Sequence, residues 1–158
     1  MREPKPITGA RALLFERLID LNPGSQDDGS RPFRILNSKQ LKESVRRELL
    51  QLLNTRCSLP LHLLAEQDRT VINYGIPDFS SLSAEDADAQ ELVSLVLSRT
   101  IAAYEPRLRQ IRVTVQPLAD NEWGLSLNIE ALLVVDSFTE PVSFPVLLNN
   151  KNGAVQVQ

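Results

Sequence analysis

Two carboxylates are the first residues in this chain that could do chemistry. A glycosidase-type mechanism needs two acids across a substrate groove, about 5–9.5 Å apart, with one held neutral by an apolar pocket. Glu48, in the leucine-rich run Glu48–Leu53, and Glu105, immediately before Pro106, are the best placed. Each has cations for neighbours: Arg46, Arg47 and Arg56 around Glu48, and Arg107 two positions after Glu105. A nearby positive charge favours the ionised carboxylate. Neither residue suits the part of a neutral acid, and aromatic residues, which sugar sites use, are 5% of the chain and scattered.

Nucleophilic, metal and phosphate chemistry find less. The single cysteine, Cys57, excludes an internal disulfide and fits a reducing compartment. The single histidine, His62, follows in a leucine-rich stretch. The two could pair, but no acid stands ready to orient the imidazole, and a structural thiol is the simpler reading. One Cys and one His make no metal site without recruited carboxylates. Gly75 lacks the glycine spacing and the lysine of a phosphate loop, so no cofactor is expected. A formal charge of -3 argues against a nucleic-acid binder working through a general basic field. No apolar run approaches the roughly 18 residues of a membrane helix, and Met1–Phe15 has no apolar core before a cleavage site. A cytoplasmic protein without membrane insertion is expected.

The charged residues gain another meaning at Ser98–Val115, SRTIAAYEPRLRQIRVTV, where the chain changes character. Pro106 cannot donate to a continuing helix and pushes Glu105 out of the helical region, so the preceding helix should stop near Tyr104. Ile111, Val113 and Val115 then alternate with Arg112, Thr114 and Gln116, the period of a half-buried strand. One reading is a helix end, a turn and a strand with solvated charges. The other is a preorganised knuckle for a protein partner, in which Pro106 sets the angle at which Glu105 and Arg107 are presented.

The elements that must position this junction follow from periodicity. Residues Thr8–Leu21 offer a short amphipathic helix with Leu14, Leu18 and Leu21 on one face, followed by the Pro, Gly, Ser and Asp-rich stretch Asn22–Pro32. Residues 1–32 are expected to form an arm and linker, docked on the chain itself or on a partner, ahead of a domain at 33–158. Ser38 is expected to cap a helix running to about Thr55, with Leu41, Val45, Leu49 and Leu52 or Leu53 inward and Arg56 at its negative end. A loop at Val71–Phe79 should be pinned to the core by Ile72, Tyr74, Ile76 and Phe79. Ser83 should open a capping box with Asp86, and Leu92, Val93, Val96, Leu97, Ile101 and Tyr104 should form the second helix's inner face. Strands are expected at about Ile111–Gln116, Trp123–Val135 and Val142–Leu148, the last an edge or irregular at its start because of Pro145, with turns at Asp120-Asn121 and Asn152-Gly153 and a short strand Ala154–Val157. The apolar Leu132 and Val134 require something to cover the far end of the long strand. The fold class is α+β, a small mostly antiparallel sheet with helices packed on one face. Its last strands offer an edge to which a partner could add a strand.

Three segments in order, Glu48–Arg56 (ELLQLLNTR), Val71–Phe79 (VINYGIPDF) and Tyr104–Arg107 (YEPR), resemble the LLNTR, NYGLPDF and EPR signatures of the baseplate wedge family of contractile-tailed phages. That family includes TssE, the type VI secretion baseplate component, and was once labelled lysozyme-like. The similarity runs from about Ser38 to the end of the sequence, and the N-terminal Leu14–Leu18 segment looks like the start of TssE proteins. Ile76 stands where the family usually has Leu, and Cys57 where a second basic residue is common. The resemblance implies a non-enzymatic structural subunit that binds other wedge subunits (TssF/TssG-like) and sheath subunits, and helps initiate sheath polymerisation. It also implies six copies per baseplate by closed symmetry, and a baseplate docked at the inner membrane. Partner-binding residues on this reading are Glu105, Pro106 and Arg107, joined by Tyr104, Arg56 and Asn54. The alternatives are a peptidoglycan hydrolase and a generic adaptor domain.

Overall fold

A computed structural model describes residues 10–14, 35–61, 63–64, 68–83, 86–117, 124–135, 138–149 and 155–157. The chain divides into two compact units, Met1–Ser44 and Val45–Gln158. In the first, β1 (Ala10–Arg11) pairs antiparallel with β2 (Ile35–Leu36), Ala10 opposite Leu36. Ala10, Ala12 and Leu36 are buried, and Leu14 is exposed. The helix expected over Thr8–Leu21 is therefore corrected at its start. Its leucine period begins only at Leu14, and nothing local holds Ala10 and Arg11 in a helix against an extended partner. The remainder of that helix and the Asn22–Pro32 stretch lie outside the described residues.

Helix α1 spans Ser38–Asn54, and the unit boundary falls within it. Its cap is Asn37 rather than Ser38. The Gln40 backbone N–H donates to Asn37 Oδ1 at 2.9 Å, and the Asn37 N–H donates to Gln40 Oε1 at 3.0 Å. This reciprocal box satisfies two donors that the first helical turn would leave open. Leu41, Val45, Leu49, Leu52 and Leu53 form the expected buried stripe, each side chain contributing about 1.5–3 kcal/mol by leaving water. At the other end Arg56 Nη1 donates to the Leu53 carbonyl at 3.1 Å, as the helix dipole favours.

Helix α2 spans Ala87–Tyr104 and ends where Pro106 requires. Asp86 is itself the N-cap, accepting from the Asp88 N–H at 3.0 Å, so the expected box starting at Ser83 is displaced by three residues. Ala89, Val93, Val96, Leu97, Thr100 and Ile101 are buried, whereas Leu92, expected inside, is 38% exposed and Leu95 46%.

The sheet is an antiparallel meander of β3 (Leu108–Pro117), β4 (Gly124–Val135), β5 (Phe138–Asn149) and β6 (Val155–Val157) in sequential order. Leu125, Leu127, Ile129, Ala131 and Leu133 of β4 are buried in strict alternation, opposite Leu148, Val146, Phe144 and Val142 of β5. The expected turns at Asp120-Asn121 and Asn152-Gly153 fall outside the described residues. The far end of β4 is met by the turn after α2, since the Val134 N–H donates to the Arg107 carbonyl at 2.8 Å.

Both edges of this sheet are guarded. The outward N–H and C=O of Val155 in β6 are taken by one side chain, Asn54 at the end of α1, at 3.0 Å each, and Arg46 Nη1 donates to the Val157 carbonyl at 2.9 Å. The expectation that β6 offers a free edge is corrected by these bonds. Strand β5 is not the edge along Val146–Leu148, where it pairs with both neighbours. Beyond β6, the β5 residues whose backbone groups face outward are those in phase with Leu147: Pro145, Ser143, Pro141 and Thr139. Two of these four have no N–H to offer an incoming strand. On the opposite edge, Ser94 Oγ of α2 donates to the Val113 carbonyl of β3.

Candidate functional site

Thr55, Arg56 and the adjoining Cys57, brought against Gly75 and Ile76 of the second signature, form the foundation of the site. The Ile76 N–H donates to the Thr55 carbonyl and the Cys57 N–H to the Ile76 carbonyl, both at 2.9 Å, with Arg56 and Ile76 in a parallel bridge. The approach requires Gly75: its φ is +111°, and a Cβ there would lie 2.5 Å from the Thr55 carbonyl oxygen. Cys57 is half-buried and its thiol lies 3.7 Å from the Leu59 carbonyl, a structural placement. His62 lies outside the described residues. No group of three metal-ligating side chains occurs among the described residues.

Above this stitch sits a 3-10 turn, Val71–Asn73. The expectation that Ile72 pins the loop is corrected. Asn73 is buried, while Val71 and Ile72 are 90% and 88% exposed. Asn73 explains the inversion: its Oδ1 accepts from the Thr70 N–H at 2.6 Å, its Nδ2 donates to the Asp68 carbonyl at 3.0 Å, and its N–H donates to the Thr70 carbonyl at 3.2 Å. A polar side chain that satisfies the turn from within leaves the two β-branched residues no inward position. Tyr74, half-buried, Ile76 and Phe79 do anchor the segment.

The third signature, at the end of α2, locks onto this turn. The Tyr104 hydroxyl lies 2.8 Å from both the Thr70 carbonyl and Asn73 Oδ1, donating to either. Its ring meets Tyr74 edge to face, centroids 5.0 Å apart. Burial, then the negative charges of Glu48, Glu105 and the Tyr104 phenolate, pushes the Tyr74 phenol above its ordinary range. Burial also raises Tyr104, against the lowering effect of Arg69. Arg69 ties the loop to α2 by donating to Thr100 Oγ1 at 2.9 Å.

Glu105 is buried, with 5% of its side chain exposed, and Arg107 with 11%. Their pair is bidentate: Arg107 Nε to Glu105 Oε1 at 2.7 Å and Nη2 to Oε2 at 2.6 Å, with the Arg107 N–H also donating to Oε1 at 3.2 Å. Pro106 between them is exposed. The solvated charges of the simpler sequence reading are thus replaced by a buried, mutually satisfied pair. Both carboxylate oxygens are occupied by the Arg107 guanidinium, the geometry of a structural ion pair.

Tyr104 therefore packs on Tyr74, the charge of Glu105 acts on it, and Arg56 bridges Ile76, while Arg107 reaches the site only through Glu105 and Pro106 is exposed between them. The positive charge of Arg56 acts on Asp78, whose carboxyl is lowered first by hydrogen bonds from Ser80. Asn54 points elsewhere, to β6. The exposed pair Val71 and Ile72 escaped the sequence reading. Its one signal was Asn73, a turn former able to take the buried place.

A family model described as Baseplate wedge protein gp25 matches residues 39–137, which contain all three signatures. The chain belongs to the baseplate wedge protein gp25 family. It is a baseplate subunit by that membership. Among solved structures, a chain of "The baseplate complex from the type VI secretion system" is similar at 19% identity and a TM-score of 0.52, covering 69% of this chain and 94% of that one. At that identity the likeness is one of fold. A search of curated proteins found no match. No helix among the described residues of this wedge-family chain is long and apolar enough to cross a membrane.

Proposed function

We propose that this wedge-family chain is a TssE-like, non-enzymatic structural subunit of a type VI secretion baseplate. It docks TssF/TssG-like wedge subunits through a face that includes Val71 and Ile72, with Tyr104, Pro106 and Arg56 as further contacts, and helps initiate the sheath. Family membership and the likeness to a type VI baseplate chain support the setting. The observation that carries the reading is the rigid display of two almost fully exposed apolar side chains on a turn fastened by Asn73 and Tyr104. Such a display loses little entropy on docking, and desolvated apolar anchors dominate interface energetics. Six copies per baseplate and a cytoplasmic position at the inner membrane belong to the same proposal.

The test is copurification of TssF/TssG-like subunits with wild type and with Val71→Asp/Ile72→Asp. Binding should fall at least about tenfold, with an unchanged melting temperature because neither side chain is in the core. Unchanged binding would remove this face from the proposal. Turbidity loss of cell walls by the purified protein, abolished in Glu105→Gln, would overturn the non-enzymatic reading.

A further inference from the structure

Helix α2 and the start of β3 enclose a groove of about 330 Å3, lined by Ser98, Arg99, Ala102, Leu108, Arg109, Gln110 and Ile111. Its form comes from a bulge. Arg109 lies opposite Leu132 and Arg112 opposite Glu130, so Gln110 and Ile111 together face the single residue Ala131. Gln110 has φ +53°, the one non-glycine residue with a positive φ among those described. The inserted residue shifts the strand's phase: Leu108 is buried, Arg109 and Gln110 are both exposed, and Val113 and Val115 are buried again. Without the bulge Gln110 would fall on the face of Leu108. With it, Gln110 stays exposed beside Arg109, and both line the groove together with Arg99.

The side chain of neither arginine makes a hydrogen bond or ion pair with another described residue, although acids lie close in sequence and register. Glu105 is occupied by Arg107, and Glu130 accepts from Asn128 Nδ2 at 3.2 Å. Two guanidinium groups thus share one concavity in a chain whose formal charge is -3. Leading to it along α2 is an apolar stripe. Leu92, Leu95, Arg99 and Ala102 recur at helical spacing on one exposed face, with Leu92 38% and Leu95 46% exposed.

We infer that this groove and stripe form a second docking surface, which takes an acidic, leucine-bearing segment of a partner protein, its carboxylates on Arg99 and Arg109 and its apolar side chains on Leu92 and Leu95. Guanidinium favours planar, bidentate contact with carboxylate, and the adjoining apolar surface is what a bare phosphate would not use. The surface is separate from Val71 and Ile72 and does not depend on the baseplate reading.

The test uses the full chain and a fluorescein-labelled synthetic peptide of alternating Glu and Leu, followed by anisotropy at low salt. Binding should weaken at least about tenfold in Arg99→Glu/Arg109→Glu and in Leu92→Ser/Leu95→Ser, and weaken with added salt. Arg112→Glu, an exposed charge reversal on the same strand outside the groove, should leave binding as in wild type. Arg99→Lys/Arg109→Lys should retain most of it. No binding of the peptide, equal loss in Arg112→Glu, or tighter binding of a single-stranded oligonucleotide that both arginines control would each overturn the inference. Because no baseplate component is present, its failure is distinct from failure of the proposed function.

Discussion

Glu105 and Arg107 stand two residues apart, and the turn at Pro106 folds their side chains into direct contact, largely buried. A pair so placed contributes little beyond what well-packed apolar groups would, yet removing one member strands the other. Arg107→Ala should therefore destabilise the protein by about 3–5 kcal/mol, read from the urea midpoint. Arg107→Ala combined with Glu105→Leu should recover most of that loss. A double variant as unstable as the single would show that the stranded charge is not the cause. A binding defect in Arg107→Ala alone would reflect this disturbance, which is why Val71 and Ile72, exposed and outside the core, are the sounder probes of docking. The acid and the base were legible as residues, and their adjacency to proline was legible as a turn. That the turn points them at each other depends on the angle at which α2 meets β3.

At the scale of elements, α1 does two jobs with opposite faces of its last turns. Leu49, Leu52 and Leu53 face the core, while Asn54 supplies both a donor and an acceptor to β6 as another strand would. Asn54→Ala would leave the Val155 N–H and C=O unpartnered, a loss of about 1–3 kcal/mol. The faster amide exchange should be concentrated in Val155–Val157; an unchanged exchange rate there would show that Asn54 does not hold the strand. The helix ends and the alternation of β4 were readable because proline, capping residues and period-two burial act within a few residues. The cap of α1 lies one residue before Ser38, and that of α2 three residues after Ser83. Asn37, Ser38, Ser83 and Asp86 are all competent caps, and the choice depends on where packing starts the helix.

For the whole molecule, the two tyrosines of the chain form a single cluster that couples α2, the 71–79 loop and, through Glu48, α1. Both phenols are raised in the folded protein from an ordinary value of 10.0. A raised pKa means that the folded state holds the proton more tightly. The associated stability is complete below 10.0 and is lost as pH rises from there through the raised value. Melting temperature followed from about pH 9 to 12 should fall more steeply in wild type than in Tyr74→Phe. Phenolate absorbance reports this cluster alone, since no other tyrosine is present. Equal slopes in the two proteins would mean that Tyr74 ionises alike in both states.

By itself the sequence determined the α+β class, the helix stop at Tyr104, the alternating burial of β4, and the family carried by three ordered signatures. These follow from local sterics, from periodicity and from chemistry written in consecutive residues. Only the tertiary structure decided that Asn73 and not Ile72 lies inside, that Asn54 closes an edge 101 positions away, that Glu105 and Arg107 satisfy each other, and that Arg99 and Arg109 line one groove beside a bulge at Gln110. Each of these is a choice between partners that the chain offers in more than one place, and the choice belongs to whichever group packing brings within a hydrogen bond's reach.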